Sequence, residues 1–302
     1  MSASAPFGQV LTAMVTPFTA NGEIDEAGVI ALVEHLLANG SDGIVVCGTT
    51  GESPTLSHEE KLRLFTLVKR CAGGRGFVIA GTGSNDTAAS VALTREAAEI
   101  GVDAALLVVP PYNKPSQEGL YQHFAAIANA VPKMNCILYN VPPRTAQNLE
   151  ASTCIRLANS ISNIVAVKEA SGNLVQCAEI AAGVNSNFAL YSGDDGLALP
   201  MLAVGGCGVV SVTSHLVGTK LKAMHTAFFK GDLNAAARLN AEMLPVVRAC
   251  FQPTTPSPVP LKAALNMLGL PGGTVRLPLV SATDAESEKV RQMLIQQGLL
   301  SQ

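Results

Sequence analysis

Short apolar runs and longer amphipathic stretches alternate along most of the 302-residue chain. Eight runs read as strands: Val10–Val15, Gly43–Cys47, Phe77–Gly81, Ala104–Val109, Cys136–Asn140, Ile164–Lys168, Ala189–Ser192 and Gly208–Val212. They are continuously apolar, the pattern of strands covered on both faces. Between them the spacing turns helical. Val29, Ile30, Val33, Leu36 and Leu37 follow a 3.6-residue period and stop at Asn39-Gly40. Ser57-His58-Glu59-Glu60 has the form of a capping box ahead of Leu62, Leu64, Phe65, Leu67 and Val68, with Gly73-Gly74 as the stop. Eight strand–helix units in succession predict an α/β fold, a (β/α)8 TIM barrel, over residues 1–230. Helical patterns at about 232–250, 261–269 and 283–298 predict a helical C-terminal extension over 231–302. Pro253, Pro256, Pro258 and Pro260 interrupt it and read as a stiff bend.

Composition changes this picture in a few places. Hydrophobic residues make up 48% of the chain, enough to bury a core, so disorder is excluded. The apolar runs fall far short of the roughly 18 residues of a membrane-spanning helix, so no membrane partner is expected. Charged residues are only 14%, against about a quarter in ordinary soluble proteins, which leans towards a surface covered by a partner subunit. The net charge is −3 and the basic residues are dispersed, which argues against nucleic acid as a partner. Met1–Phe7 has no basic start followed by an apolar stretch, so a cytoplasmic protein is expected. The cysteines at 47, 71, 136, 154, 177, 207 and 250 are irregularly spaced, with no CxxC pair, and read as reduced, buried small hydrophobes. The chain has no phosphate loop, dinucleotide fingerprint, HExxH or GxSxG, and its five histidines lack ligand spacing. No metal and no cofactor are expected.

A barrel of this kind carries its site at the C-terminal ends of the strands. Lys168 closes one of them, on the same face as the small Ala166, which fits the inside of a barrel. Two readings are open. A strand-end lysine can be solvated, or it can be a desolvated ammonium whose pKa falls until the amine attacks a ketone and forms a Schiff base. Tyr139, at the end of the neighbouring strand, would either exchange protons with Lys168 or bond to backbone. Arg144, beyond two prolines, offers a planar fork to a substrate carboxylate or a surface ion pair. Gly48-Thr49-Thr50-Gly51 is either a nest for a carboxylate or a plain tight turn. Tyr112 is either an exposed loop aromatic or a group inserted into a site. Asp194 and Asp195 read as caps of the next helix.

Five segments taken together resemble a known family: Gly48–Glu52, Pro111–Pro115, Tyr139–Thr145, Val167–Gly172 and Ser192–Asp195. In order and over about residues 7–300 they resemble the dihydrodipicolinate synthases, members of the N-acetylneuraminate lyase superfamily of Schiff-base aldolases. The resemblance implies a lyase that condenses pyruvate with L-aspartate 4-semialdehyde to 4-hydroxy-tetrahydrodipicolinate, on the route to diaminopimelate and lysine. It implies Lys168 as the Schiff-base residue and Tyr139 as proton donor and acceptor. Thr49 and Tyr112 would complete a proton relay, the tyrosine crossing from an adjacent subunit of a homotetramer built as a dimer of dimers. Thr50, Gly51, Gly193 and Val210 would contact the keto acid, and Arg144 the semialdehyde carboxylate. A related aldolase acting on a sugar-derived 2-keto acid is the alternative. Sialic acid lyases resemble the same barrel but usually lack the Tyr-Asn-Val-Pro-x-Arg segment and carry a serine where Thr49 stands. Ser53, His58 and Asn85 resemble the lysine-inhibited members. Those members usually place an acid where this chain has Ala89 and an aromatic where it has Pro111, so weak or absent inhibition by lysine is expected.

Overall fold

The computed structural model describes residues 5–301. Met1–Ser4, part of the segment read for a leader, and Gln302, the end of the expected extension, lie outside the described residues. Eight strands form the sheet: β1 (Val10–Ala13), β2 (Gly43–Val46), β3 (Phe77–Gly81), β4 (Ala104–Val108), β5 (Asn135–Asn140), β6 (Ile164–Glu169), β7 (Ala189–Ser192) and β8 (Gly208–Ser211). All pair in parallel in chain order, and Val10 of β1 pairs with Val209 of β8 to close the barrel. The apolar runs locate every strand to within one or two residues. The run Val10–Val15 overshoots because the Val15 N–H leaves the ladder and donates to the His215 ring at 3.2 Å.

The strands are apolar throughout because each face meets a different core. One buried cluster holds Leu11, Ala13, Val45, Ile79, Leu106, Ile137, Ala166, Ala189 and Val210. Residues between these, such as Val10, Ile44, Val78, Leu138 and Val167, belong to a second cluster shared with the helices. Alternation on each strand therefore separates barrel interior from helix-facing side. Tyr191 fills the interior beside the small Ala166 and Ala189. Its hydroxyl donates to the Gly8 carbonyl at 3.0 Å and accepts the Phe7 N–H at 3.3 Å. Phe7 then packs edge-on against Phe77, with ring centres 5.6 Å apart, at the N-terminal ends of the strands. That end is plugged, so a small molecule reaches the interior from the opposite, C-terminal end.

At that end the backbones crowd. A Cβ on Gly81 would lie 2.3 Å from the Cys47 carbonyl oxygen, so only glycine lets β3 pass the turn after β2. The two adjacent aspartates divide their roles, which corrects the reading of both as caps. Asp194 accepts the Gly196 N–H at 2.7 Å, as a cap does. Asp195 is buried and accepts from the Ser211 hydroxyl, the Val212 N–H (2.9 Å) and the Thr213 hydroxyl (2.8 Å). It thus pins the end of β8, and burial raises its pKa against those bonds.

The helix Ser214–Phe229 completes the eighth unit, and Leu233–Cys250, Val259–Met267 and Asp284–Gln296 follow. Val259–Met267 begins two residues before the predicted start because Pro260 fits a first turn, where its missing N–H has no partner to lose. Thr283 and Glu286 form a full capping box ahead of the last helix. All seven cysteines are free; six are buried and Cys71 is partly so. Among the described residues no helix is long and apolar enough to cross a membrane.

His215 links β1 to β8 in its neutral form. Its Nδ1–H donates to the Val212 carbonyl at 2.8 Å, which leaves Nε2 to accept from Val15. Burial holds its pKa down to about 4. The unfolded chain, with a histidine near about 6.5, takes up the proton first, so stability is lost as pH falls from about 6.5 towards 4. Urea unfolding at about pH 7.5 and about pH 5 should show that the parent loses about 2 kcal/mol more than His215→Gln. Equal losses would remove His215 from the acid limb.

Candidate active site

Lys168 is 5% exposed, and its Nζ lies 4.1 Å from the centre of the Tyr139 ring. A register irregularity makes that meeting. Cys136 pairs with Ile164, but the next pair is Ile137 with Ala166, so Val165 is an extra residue on β6. The shift brings Tyr139 opposite Lys168; without it Tyr139 would face Val167, which belongs to the helix-facing layer. Gly193 is fitted to the same side chain. A Cβ there would lie 2.7 Å from the Ala170 Cβ and 3.1 Å from both Cγ and Cε of Lys168. The lysine stem therefore occupies the space that the glycine leaves.

Two lysines in this chain are almost wholly buried, and their surroundings differ. Lys262 is 2% exposed, and its Nζ meets Glu52 Oε1 at 2.6 Å and the carbonyls of Thr16 and Thr274 at 2.7 and 2.6 Å. Its three donors are all engaged. Among the described residues no carboxylate or hydrogen-bond acceptor engages Lys168 Nζ. The adjacent Glu169 does not serve, because its carboxylate is held by the side-chain amides of Asn140 (2.9 Å) and Gln176 (3.0 Å) and the Ser171 N–H (2.6 Å). Of the two, only Lys168 therefore keeps its amine free of a fixed partner.

A cavity of about 510 Å³ opens beside Tyr139, with Thr49, Val141 and Arg144 also in its wall; Lys168, behind the Tyr139 ring, and Thr50, Gly193 and Val210 are not part of that wall. Arg144 is exposed and donates from Nη2 to the Ser257 carbonyl at 3.1 Å. The turn after β2 is tight: the Gly51 N–H donates to the Gly48 carbonyl at 3.1 Å, and the Gly51 carbonyl accepts from the Thr16 hydroxyl at 2.7 Å. Gly51 is thereby bonded within the turn, and the neighbouring Thr50 is buried. Cys47 and Glu52, on either side, sit at φ of 54° and 57°, an uncommon conformation for side chains of this kind. Such strain concentrates at functional sites.

The remaining sequence candidates are placed unevenly. Val210 is buried on β8 opposite Leu11. Tyr112 has a φ of 73° and is 92% exposed, so within this chain it is an exposed loop aromatic. Ser53, Asn85 and Pro111 line the cavity. His58 does not line it and instead pairs with Glu96 at 2.8 Å. Lys61 escaped the sequence reading. It lines the cavity from a helix that begins with a capping box, where a lysine reads as solvated, yet desolvation lowers its pKa.

The model of the Dihydrodipicolinate synthetase family matches residues 6–297. A 4-hydroxy-tetrahydrodipicolinate synthase of Moorella thermoacetica is 56% identical over 294 residues, covering 97% of this chain and 99% of the relative. One from Thermosynechococcus vestitus is 54% identical over 294 residues, covering 97% and 98%. The solved structure of a dihydrodipicolinate synthase from Cyanidioschyzon merolae with lysine bound superposes with a TM-score of 0.95 at 47% identity, covering 97% of this chain and 99% of that one.

The fit of Gly193 to Lys168 yields a direct test. Gly193→Ala should slow borohydride trapping of a small 2-keto acid at Lys168 by about a hundredfold, since a misplacement near 1 Å has that effect. Circular dichroism should stay close to the parent and the melting temperature should fall, because the new Cβ crowds Ala170. Unchanged trapping would show that Lys168 is not positioned by this contact.

Proposed function

The chain belongs to the dihydrodipicolinate synthetase family, and from that premise we propose that it condenses pyruvate with L-aspartate 4-semialdehyde through a Schiff base on Lys168. The observation that carries the reading is the buried Lys168 amine, free of any fixed acceptor, against the Tyr139 ring. The amine adds to the keto carbon, water leaves, and the resulting iminium acidifies the methyl group, whose proton passes to the oxygen of Tyr139 to leave the enamine. The enamine carbon then attacks the aldehyde carbon of the second substrate. That substrate's own amine displaces Lys168 and closes the ring of 4-hydroxy-tetrahydrodipicolinate.

In this reading Tyr139 carries the protons of imine formation, with Thr49 beside it in the cavity wall. Thr50 meets the keto-acid carboxylate, while Gly51 and Gly193 hold the turn and the lysine stem rather than the substrate. Val210 contributes to the interior wall near the keto acid. Arg144 pairs with the semialdehyde carboxylate, and its exposure leaves room for a second substrate to enter. Exposed Tyr112 would complete the relay in a neighbouring subunit, which supports a homo-oligomer, a tetramer by family habit, in the cytoplasm. Residues 1–230 would act as the barrel and 231–302 as its helical extension.

Sodium borohydride should inactivate the protein only in the presence of pyruvate, with the mass adduct on the peptide that contains Lys168, and EDTA should leave turnover unchanged. Arg144→Ala should retain pyruvate trapping but lose at least about a hundredfold in kcat/KM for the semialdehyde, the effect of removing a charge-assisted pair. Trapping without any turnover of the semialdehyde would favour an aldolase for a sugar-derived 2-keto acid.

Lysine should inhibit weakly. Ala89 supplies no carboxylate for a second ammonium, and Lys61 presents like charge in the cavity beside Ser53 and Asn85. An inhibition constant of millimolar or weaker in a steady-state assay is expected; a micromolar one would overturn this.

A further inference from the structure

The C-terminal helices reach the site through buried charge. Glu52 closes the turn that carries Thr49 and Thr50, is 3% exposed, and stands at a φ of 57°. One carboxylate oxygen faces Lys262 Nζ at 2.6 Å, and the other accepts the Arg276 N–H at 2.9 Å. Lys262 also binds the Thr16 carbonyl, and the Thr16 hydroxyl binds the Gly51 carbonyl. Arg276 closes the far side: its guanidinium donates to the Gly22 and Thr55 carbonyls and to Glu60 at 2.5–2.8 Å. The Nζ of Lys262 and the Arg276 guanidinium carbon both lie over the Phe18 ring, 4.5 and 4.3 Å from its centre.

We propose that Glu52, Lys262 and Arg276 are positioning residues: through them the C-terminal extension fixes the Thr49–Thr50–Gly51 turn in the conformation that receives the keto-acid carboxylate. The physical case rests on what each partner would do alone. A glutamate gains nothing intrinsic from the left-handed region, so the conformation must be held from outside. Two charges withdrawn from water do not make a strong case for stability, because well-packed apolar residues often serve as well. What the pair does provide is direction. It ties residue 52 to residue 262 at a fixed distance and angle, and it ties the turn's last carbonyl to the same ammonium by way of Thr16. A change at the extension is thereby felt at Thr50 although no atom of the extension need touch substrate there.

This rests on the keto-acid reading above, and the test separates the two. The primary variant is the double Glu52→Gln, Lys262→Met, which leaves no unpaired buried charge; Glu52→Gln alone is the second, whose single amide oxygen can still accept from Lys262 while the Arg276 N–H loses its acceptor. Folding is followed by circular dichroism and melting temperature. Half-saturation by pyruvate is measured in borohydride trapping and, separately, as KM in turnover, with KM for the semialdehyde as the control.

The folded variants should need at least about tenfold more pyruvate in both assays, with KM for the semialdehyde within about twofold of the parent. A merely structural role would lower the amount of active protein and leave both KM values alone. Folded variants with unchanged half-saturation by pyruvate would overturn the positioning role. So would an equal rise in both KM values, or failure of both variants to fold, which would make the pair a stability element. A parent that traps no pyruvate would instead overturn the function reading itself.

Discussion

Everything in the site depends on one constraint: an amine is placed inside the barrel without being given a fixed partner. Open solvent would screen Lys168, and a carboxylate would fix it as half of an ion pair. The barrel interior removes the first, and the geometry of β6 removes the second by turning Glu169 to the opposite side of the sheet, where Asn140, Gln176 and Ser171 hold it. The Tyr139 ring then supplies a polarizable surface in place of an acceptor. The plug at the other end of the barrel, made by Phe7 and Tyr191, serves the same end, because it closes the interior to water from below.

Much of this was legible in the sequence because it is local. Continuous apolar runs of strand length, separated by capped helices, leave little choice but a parallel barrel, and alternation alone puts Lys168 beside Ala166 on the inner face. Less was legible where the determining contact is distant. The irregularity at Val165 is invisible to alternation, yet it decides whether Tyr139 meets Lys168 or Val167. Glu52 and Lys262 are separated by more than two hundred positions, so no local pattern pairs them. His58, expected beside Ser53 and Asn85 from the likeness to lysine-inhibited members, turns to Glu96, because a residue at the first position of a helix finds its partner on the neighbouring helix. Lys61, on the same capped helix, carries no local mark of its place in the cavity wall.

The family likeness and the physical reading are independent to a useful degree. The likeness assigns Gly51 and Gly193 to substrate. The structure gives each a more immediate duty, since the Gly51 amide and carbonyl are both bonded within the protein and the Gly193 hydrogen faces the lysine stem. These glycines are required by what sits next to them. Thr50, by contrast, is buried at the turn without so complete a set of obligations, which is where a carboxylate would be received.

The two buried lysines show how a fold decides what a charge is for. Both are withdrawn from solvent to a similar extent, so burial by itself does not separate a reactive amine from a structural one. The separation lies in acceptors. Lys262 stands where three loops converge, and loops bring unpaired carbonyls, so its ammonium is satisfied on every side. Lys168 stands at the end of a strand whose neighbours are also strands, and strand carbonyls are already paired across the ladder. A lysine on the inner face of a closed parallel barrel is therefore short of acceptors by construction. That shortage follows from the hydrogen-bond pattern of the sheet and does not need any particular neighbour to create it.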